Sequence, residues 1–170
     1  MKGSTNPDLM RKARRIRFLL LDVDGVMTDG LIYLNSKGEE TKGFHIQDGA
    51  GITRAQKAGI SIGIVTGRSS GVVSARAREL KIEEVHQGVE EKIGVYELLL
   101  EKYGLTDTEM AYVGDDVIDL PVLKRVGLAV AVADAHPRVK QVAHWITEKG
   151  GGKGAVREVT DLLLAAQSRP

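Results

Sequence analysis

Leu19-Leu20-Leu21-Asp22-Val23-Asp24-Gly25-Val26-Met27-Thr28-Asp29-Gly30 decides the reading of this chain. An apolar run over 16–21, broken only by Arg17, stops at two aspartates one residue apart. The run reads as a buried strand of a parallel sheet, apolar on both faces. Two carboxylates at its end sit where the core gives way to a loop. Like charges there are costly unless a proton or a cation offsets them. A hard divalent cation held by oxygen ligands is the simplest answer. A lone aspartate at a strand end is usually a turn or cap residue. The pair Asp22 and Asp24, followed at once by Gly25, points beyond that.

Outward from this strand, strand-like and helix-like segments alternate. Two short extended pieces are expected at 31–34 and 40–46, joined by the hairpin chemistry of Asn35-Ser36-Lys37-Gly38. Helices are expected at 49–58, 71–80, 91–103 and 117–126, a short one opened by Pro137, and a last one at 155–167. Strands are expected at 60–65, 85–87, 110–113, 128–132 and 145–146. The basic stretch 2–15 reads as a frayed tail and a short solvated helix after Pro7-Asp8. The expected fold is α/β: one domain over 1–170, a doubly wound, mostly parallel sheet with helices on both faces. It carries a β-hairpin insertion at 30–46 and a Gly-rich segment and helix at 150–170. The 24–66 interval has room for a hairpin and one helix, and none for a cap domain.

Polar residues recur at one place in this pattern. Asp22 and Asp24 follow the first strand, Thr66-Gly67-Arg68 follows the strand ending at Val65, and Gly114-Asp115-Asp116 follows the strand ending at Val113. In open parallel sheets the ligand crevice lies outside the carboxyl ends of the strands. Three segments therefore bring carboxylates, a hydroxyl and a guanidinium to one edge.

That set suits phosphoryl transfer to a carboxylate. Asp22 can attack phosphorus, and Asp24 can protonate the leaving oxygen and then deprotonate water. Period-two spacing would set both toward one substrate. Asp115, Asp22 and a backbone carbonyl at Asp24 suit Mg²⁺, which takes few protein ligands. Thr66 and backbone N–H groups near Gly25 and Gly67 can donate to a phosphate, with Arg68 beside them. Lys92 stands at a helix start, where a cation is electrostatically misplaced. It can neutralise nucleophile and phosphate, or lie exposed beside Glu90 and Glu91. Asp116 and Asp119 read first as acids of a helix's opening turn, and Asp119 second as the residue that orients the lysine.

Composition narrows the class. The chain has 170 residues, a net charge of +1, no cysteine and four scattered histidines. Disulfides, thiol catalysis and thiolate zinc sites are excluded. The near-neutral balance and the scarcity of aromatics argue against a nucleic-acid partner. No apolar stretch is long enough for a membrane partner or a signal segment, so the expectation is a cytoplasmic protein. Walker-type and dinucleotide fingerprints are missing.

Together these residues resemble the haloacid dehalogenase superfamily of phosphatases. Asp22-Val23-Asp24-Gly25-Val26 is similar to its first motif, Thr66 to its second and Lys92 to its third. Gly114-Asp115-Asp116-Val117-Ile118-Asp119 is similar to its fourth, with order and spacing matched. The resemblance implies Asp22 as nucleophile and Asp24 as general acid/base. It implies Mg²⁺ on Asp22, Asp115 and the Asp24 carbonyl, and a phosphoryl group held by Thr66 and Lys92. The segments 24–30, 44–52, 132–137 and 151–158 are similar to the branch that hydrolyses the 8-phosphate of 3-deoxy-D-manno-octulosonate (KDO) for lipopolysaccharide synthesis. That branch implies a homotetramer without a cap domain. Gln47 and Ala50 depart from its usual arginine and larger residue, which bears on substrate preference.

Two features bear on assembly. Leu31-Ile32-Tyr33-Leu34 is apolar on both faces, which a second subunit, or the hairpin folded onto its own domain, would cover. Gly150-Gly151-Gly152-Lys153-Gly154 precedes a helix carrying Arg157, and such a turn can bind an anion. The expectation is a small sugar acid phosphate as substrate, with the C-terminal tail entering a neighbouring subunit's site and Arg157 gripping the carboxylate. A nine-carbon sugar acid 9-phosphate is the close rival. A phospho-accepting receiver domain is the rival from another class, though it lacks the acid two residues after the nucleophile. An inactive scaffold would not need the full set of Asp22, Asp24, Thr66, Lys92 and Asp115.

Overall fold

The computed structural model describes residues 6–168. The first helix, α1 (Pro7–Arg15), is capped by the Asn6 side chain. It leads into β1 (Phe18–Leu21), whose four residues are all buried. A small antiparallel pair follows, β2 (Tyr33–Leu34) and β3 (Glu40–Thr41). Then come α2 (Ile46–Lys57), β4 (Ser61–Val65), α3 (Gly71–Glu79), β5 (Glu84–His86) and α4 (Lys92–Tyr103). The chain continues through β6 (Met110–Gly114), α5 (Leu120–Leu123), β7 (Leu128–Ala131), α6 (Pro137–Val142), β8 (Trp145–Ile146) and α7 (Ala155–Gln167).

The main sheet has six strands in the order β5-β4-β1-β6-β7-β8, every neighbouring pair parallel. From β1 the chain crosses to β4 on one side and returns later to β6 on the other. Right-handed crossovers then put helices on both faces. α7 packs on α1 and α2, while α4, α5 and α6 form a second group. The switch point falls at β1 and β6, so the crevice of the fold opens beside Asp22 and Asp115. Among the described residues no cap domain intervenes between β1 and β4, only the β2–β3 pair and α2. No helix among them is long and apolar enough to cross a membrane.

Several local expectations need correction. The basic stretch is not solvated all round: α1 buries Leu9 and Ala13, and residues 1–5 lie outside the described residues. α2 begins at Ile46 because the His45 ring accepts the Gln47 N–H and caps the helix. The helix expected at 117–126 splits into a 3₁₀ turn, Val117–Asp119, and the four-residue α5. A capping box between Asp116 and Asp119 closes the turn, and Pro121 stands in the first turn of α5. The hairpin pairs only two residues a side, and Leu31, Ile32, Tyr33 and Leu34 stand exposed.

Candidate active site

The two aspartates are not placed by strand alternation, as the sequence suggests. β1 ends at Leu21, and the carbonyl of Val23 accepts the N–H groups of Val26, Met27 and Thr28. The chain thus turns tightly straight after Asp22. Gly25 makes the turn possible with φ of +84°, and a Cβ there would lie 2.0 Å from Asp115 Oδ2. No residue with a side chain fits that gap.

Asp22 is buried, its Oδ1 accepting its neighbour Val23's N–H at 2.7 Å. Lys92 lies opposite, with Nζ 2.9 Å from Asp22 Oδ1 and 2.7 Å from Asp119 Oδ1. Lys92 is the first residue of α4, and its side chain is 1 % exposed. The expected screening by Glu90 and Glu91 is therefore not what steadies it. Two buried carboxylates do, and they raise its pKa although burial opposes the charge. Tyr112, on β6, donates its hydroxyl to Asp119 Oδ1 at 2.6 Å and accepts from Lys92 at 3.3 Å. Asp119 Oδ2 accepts the N–H groups of Asp115 and Asp116 at 3.0 and 3.1 Å. Asp119 therefore orients the lysine and shapes the Asp115 loop at once. Tyr112 was missed by the sequence reading. Its one signal is a hydroxyl inside the buried run Met-Ala-Tyr-Val-Gly, where such a group needs a partner.

Asp22, Asp115 and Asp119 each place an oxygen within 4.8 Å of the others. Burial, then the charge of Asp119, pushes Asp22 up to about 6. Burial, then the charges of Asp22 and Asp119, pushes Asp115 up to about 8. One lysine does not offset this much negative charge. The donor set is oxygen only, which suits Mg²⁺. Both oxygens of Asp119 already accept hydrogen bonds, so Asp22 and Asp115 are the side chains left to hold a cation. The Asp24 carbonyl, on the same turn, is the backbone candidate.

The remaining predicted residues divide. Thr66 is buried one residue beyond β4, and the register Leu21↔Ile64 sets it level with Val23. Its own N–H and carbonyl are tied to His86 at 2.9 Å and Val89 at 3.1 Å, which fixes the loop carrying Gly67. The Gly25 N–H is directed at Thr28 Oγ1, 3.4 Å away. Asp116 is exposed and accepts the Val117 N–H, a capping role. The Asp24 carboxylate is ion-paired with Lys42, which also lies 3.1 Å from Glu40 Oε1. Arg68 lies 3.1 Å from the same Glu40 oxygen. Neither Lys42 nor Glu40 was singled out in the sequence.

The glycine run has partners within its own chain. A Cβ on Gly151 would lie 1.9 Å from the Gly25 carbonyl oxygen, and one on Gly152 2.5 Å from the Thr28 carbonyl carbon. The Gly152 N–H donates to the Val26 carbonyl at 3.0 Å, and the Gly151 N–H to Asp134 Oδ1 at 2.9 Å. The run is thus seated on its own chain's 24–29 turn. The Arg157 N–H, in the first turn of α7, donates to Asp48 Oδ1 at 2.8 Å, so this helix start already has its own carboxylate. The Arg157 guanidinium pairs with Asp161 at 2.8 Å and is not brought to the aspartate cluster.

The chain that carries this cluster has counterparts among known proteins. The chain matches a family model described as haloacid dehalogenase-like hydrolase over residues 82–158. It is 49% identical over 167 residues to the 3-deoxy-D-manno-octulosonate 8-phosphate phosphatase KdsC of Salmonella typhimurium, spanning 98% of this chain and 89% of the relative. The chain belongs to the haloacid dehalogenase-like hydrolases, in the KDO 8-phosphate phosphatase family. Its fold agrees with members of that family in detail. It superposes on the crystal structure of the Yersinia pestis phosphatase with a TM-score of 0.93 at 47% identity, covering 95% of this chain and 87% of that one. A second structure, from Moraxella catarrhalis, is a complex with a magnesium ion, a phosphate ion and a KDO molecule. It matches at a TM-score of 0.92 and 41% identity, over 94% of this chain and 92% of that one.

Proposed function

We propose that this protein hydrolyses KDO 8-phosphate to KDO and inorganic phosphate, for lipopolysaccharide synthesis in the cytoplasm. The observation that carries the proposal is the Asp22–Lys92–Asp119 array at the mouth of β1. It ties down one oxygen of Asp22 and leaves the carboxylate anchored for attack. Asp22 bonds to phosphorus as the bond from phosphorus to the sugar oxygen breaks, and Asp24 gives that oxygen its proton. Asp24 then takes a proton from water as the water oxygen bonds to phosphorus. The aspartyl–phosphorus bond breaks, phosphate leaves and Asp22 is regenerated. Lys92 balances charge at the nucleophile through both steps, and Thr66 donates to the phosphoryl oxygens. Mg²⁺ on Asp22, Asp115 and the Asp24 carbonyl supplies further positive charge for those oxygens. An acid/base two residues from the nucleophile favours hydrolysis over the persistent phosphate of a receiver domain.

A phosphate-release screen over sugar phosphates, with and without Mg²⁺, tests the proposal. KDO 8-phosphate should turn over fastest and only with the metal. Faster release from a nine-carbon sugar acid 9-phosphate would move the substrate assignment, and no release from any ester would remove the enzymatic reading.

The proposal includes a homotetramer, supported by the exposed apolar edge Leu31–Leu34. The glycine run is already seated on its own chain. The proposal keeps the C-terminal tail as a contributor to a neighbouring subunit's site; within its own chain, Gln167 near the end of α7 donates to the Ile16 carbonyl. Sedimentation at micromolar protein should give a single species near four chains.

The seating of the glycine run carries its own prediction. Gly151→Ala must displace the Gly25 carbonyl and with it the turn that bears Asp24. Displacements of this kind cost about 10² in rate even without unfolding. Turnover of the sugar phosphate should fall by about that factor, and unchanged turnover would make the run a mere connector.

A further inference from the structure

We propose that Lys42 is a positioning residue that holds the Asp24 carboxylate in its working orientation. The proposal rests on the reading of Asp24 as general acid/base and adds the residue that sets it.

Lys42 follows β3 in a hairpin otherwise turned to solvent: Tyr33, Leu34 and Thr41 are exposed, as is Gly43. Its side chain goes inward, to 1 % exposure, with Glu40 half-buried beside it. A lysine is almost never buried to that extent unless paired. Burying it costs several kcal/mol before its partners repay the loss. A tether for the hairpin could be made of apolar residues at far less expense. The choice of an ammonium group here therefore tracks what it meets, which is Asp24. Among the described residues no other side chain hydrogen-bonds to the Asp24 carboxylate. The turn that carries Asp24 is held by the Val23 carbonyl and by the Gly25 N–H directed at Thr28 Oγ1, and these leave the Asp24 side-chain rotamer free. Lys42 is itself held, by Glu40 at 3.1 Å, and Glu40 by Arg68 at 3.1 Å. The chain Asp24–Lys42–Glu40–Arg68 spans the turn after β1, the hairpin and the loop after β4. With two carboxylates already on it, Lys42 is a poor phosphate ligand and a good clamp.

The test exploits leaving groups. An alkoxide such as the sugar oxygen leaves only if protonated, whereas p-nitrophenolate leaves without help. The quantity kcat/KM reports steps up to departure of that group, so it isolates the acid role of Asp24. In the full-length protein with Mg²⁺, Lys42→Met should lower kcat/KM for KDO 8-phosphate by about 10²-fold, the lower range for a general acid. The loss for p-nitrophenyl phosphate should be far smaller, and Lys42→Arg should recover part of the sugar ester's rate. Asp24→Asn should give the same split and accumulate phosphorylated enzyme from the aryl ester. The double variant should be no slower than Asp24→Asn alone, because a clamp has nothing left to hold.

Equal losses on both esters in Lys42→Met would make Lys42 a structural tether and overturn the proposal. So would additive losses in the double variant. If Asp24→Asn itself shows no split while KDO 8-phosphate is still hydrolysed by the parent, the assignment of Asp24 fails and Lys42 falls with it, though the phosphatase activity stands. Should Lys42→Met melt far below the parent, Glu40→Gln serves instead. It keeps both members of the Lys42–Asp24 pair but removes the carboxylate that holds Lys42 in place. It should show a smaller split of the same sign, and an unsplit loss overturns the proposal equally.

Discussion

Replacing Asp22 by asparagine should abolish turnover while leaving the fold intact and more stable without metal. The amide offers no nucleophilic oxygen for phosphorus. Loss of a nucleophile costs enzymes with covalent intermediates about 10⁶ in rate, so at least about 10⁴ is expected here. The gain in stability follows from the site's electrostatics. Asp22 is buried within 4.8 Å of oxygens of Asp115 and Asp119, and burial, then the charge of Asp119, pushes its carboxyl up to about 6. A neutral side chain of the same shape removes that repulsion, and Lys92 keeps Asp119 at 2.7 Å. Phosphate release and thermal melting of the metal-free variant at pH 8 check both halves. Residual turnover above a hundredth of the parent rate would remove Asp22 as nucleophile. A melting temperature below the parent's would mean that the carboxylate serves the fold rather than opposes it. Native sites commonly give up stability where chemistry needs unfavourable charges, and this position is the clearest place in the chain to look for it.

The fold and the clustering of Asp22 and Asp115 at one sheet edge were legible because they follow from one-dimensional pattern. Apolar runs ending in polar residues mark parallel strands, and the fold's switch point collects whatever follows β1 and β6. Asp22 and Asp115 were therefore findable from position, Thr66 from the end of β4, and Lys92 from a cation out of place at a helix start. The partners that tune them were not. Lys42 is one lysine in a charged stretch that no motif marks, and only the three-dimensional return of β3 takes its side chain inward. Tyr112 is one more large residue in a buried strand until its hydroxyl is seen between Lys92 and Asp119. Arg157 is the converse case: an arginine after a glycine run suits an anion by composition, and within its own chain its N–H meets Asp48 and its Nε meets Asp161. The 117–126 segment misled for a local reason, since its apolar spacing suits a helix while Asp116 and Asp119 fold back to cap a 3₁₀ turn.

Metal-free protein should lose stability as pH rises from 5 to 8, and Mg²⁺ should restore it most at pH 8. Asp22 and Asp115 have folded pKa values of about 6 and about 8 against an ordinary 3.8. The folded state therefore holds protons that the unfolded chain sheds above pH 4. Stability from those protons is full below about 4 and is lost progressively as pH climbs through the folded values. One pKa unit is worth about 1.4 kcal/mol, so the tightly linked pair together loses a few kcal/mol by pH 8. For a chain of this size that is on the order of 10 °C in melting temperature. Glu40, Glu84 and Glu109 have lowered pKa values, so their contribution is complete by pH 5 and adds no slope above it. His144, lowered chiefly by burial, works the other way, gaining stability as pH passes its ordinary 6.5, but as a single half-buried ring it is outweighed. A divalent cation competes with the very protons that accumulate on Asp22 and Asp115. Its stabilisation should therefore be small at pH 5 and large at pH 8, and Asp115→Asn should flatten both the pH slope and the Mg²⁺ increment. Melting curves with EDTA and with millimolar MgCl₂ at the two pH values decide it. A metal-free melting temperature that rises toward pH 8, or equal Mg²⁺ increments at both, would mean that these carboxylates are not the cation's ligands.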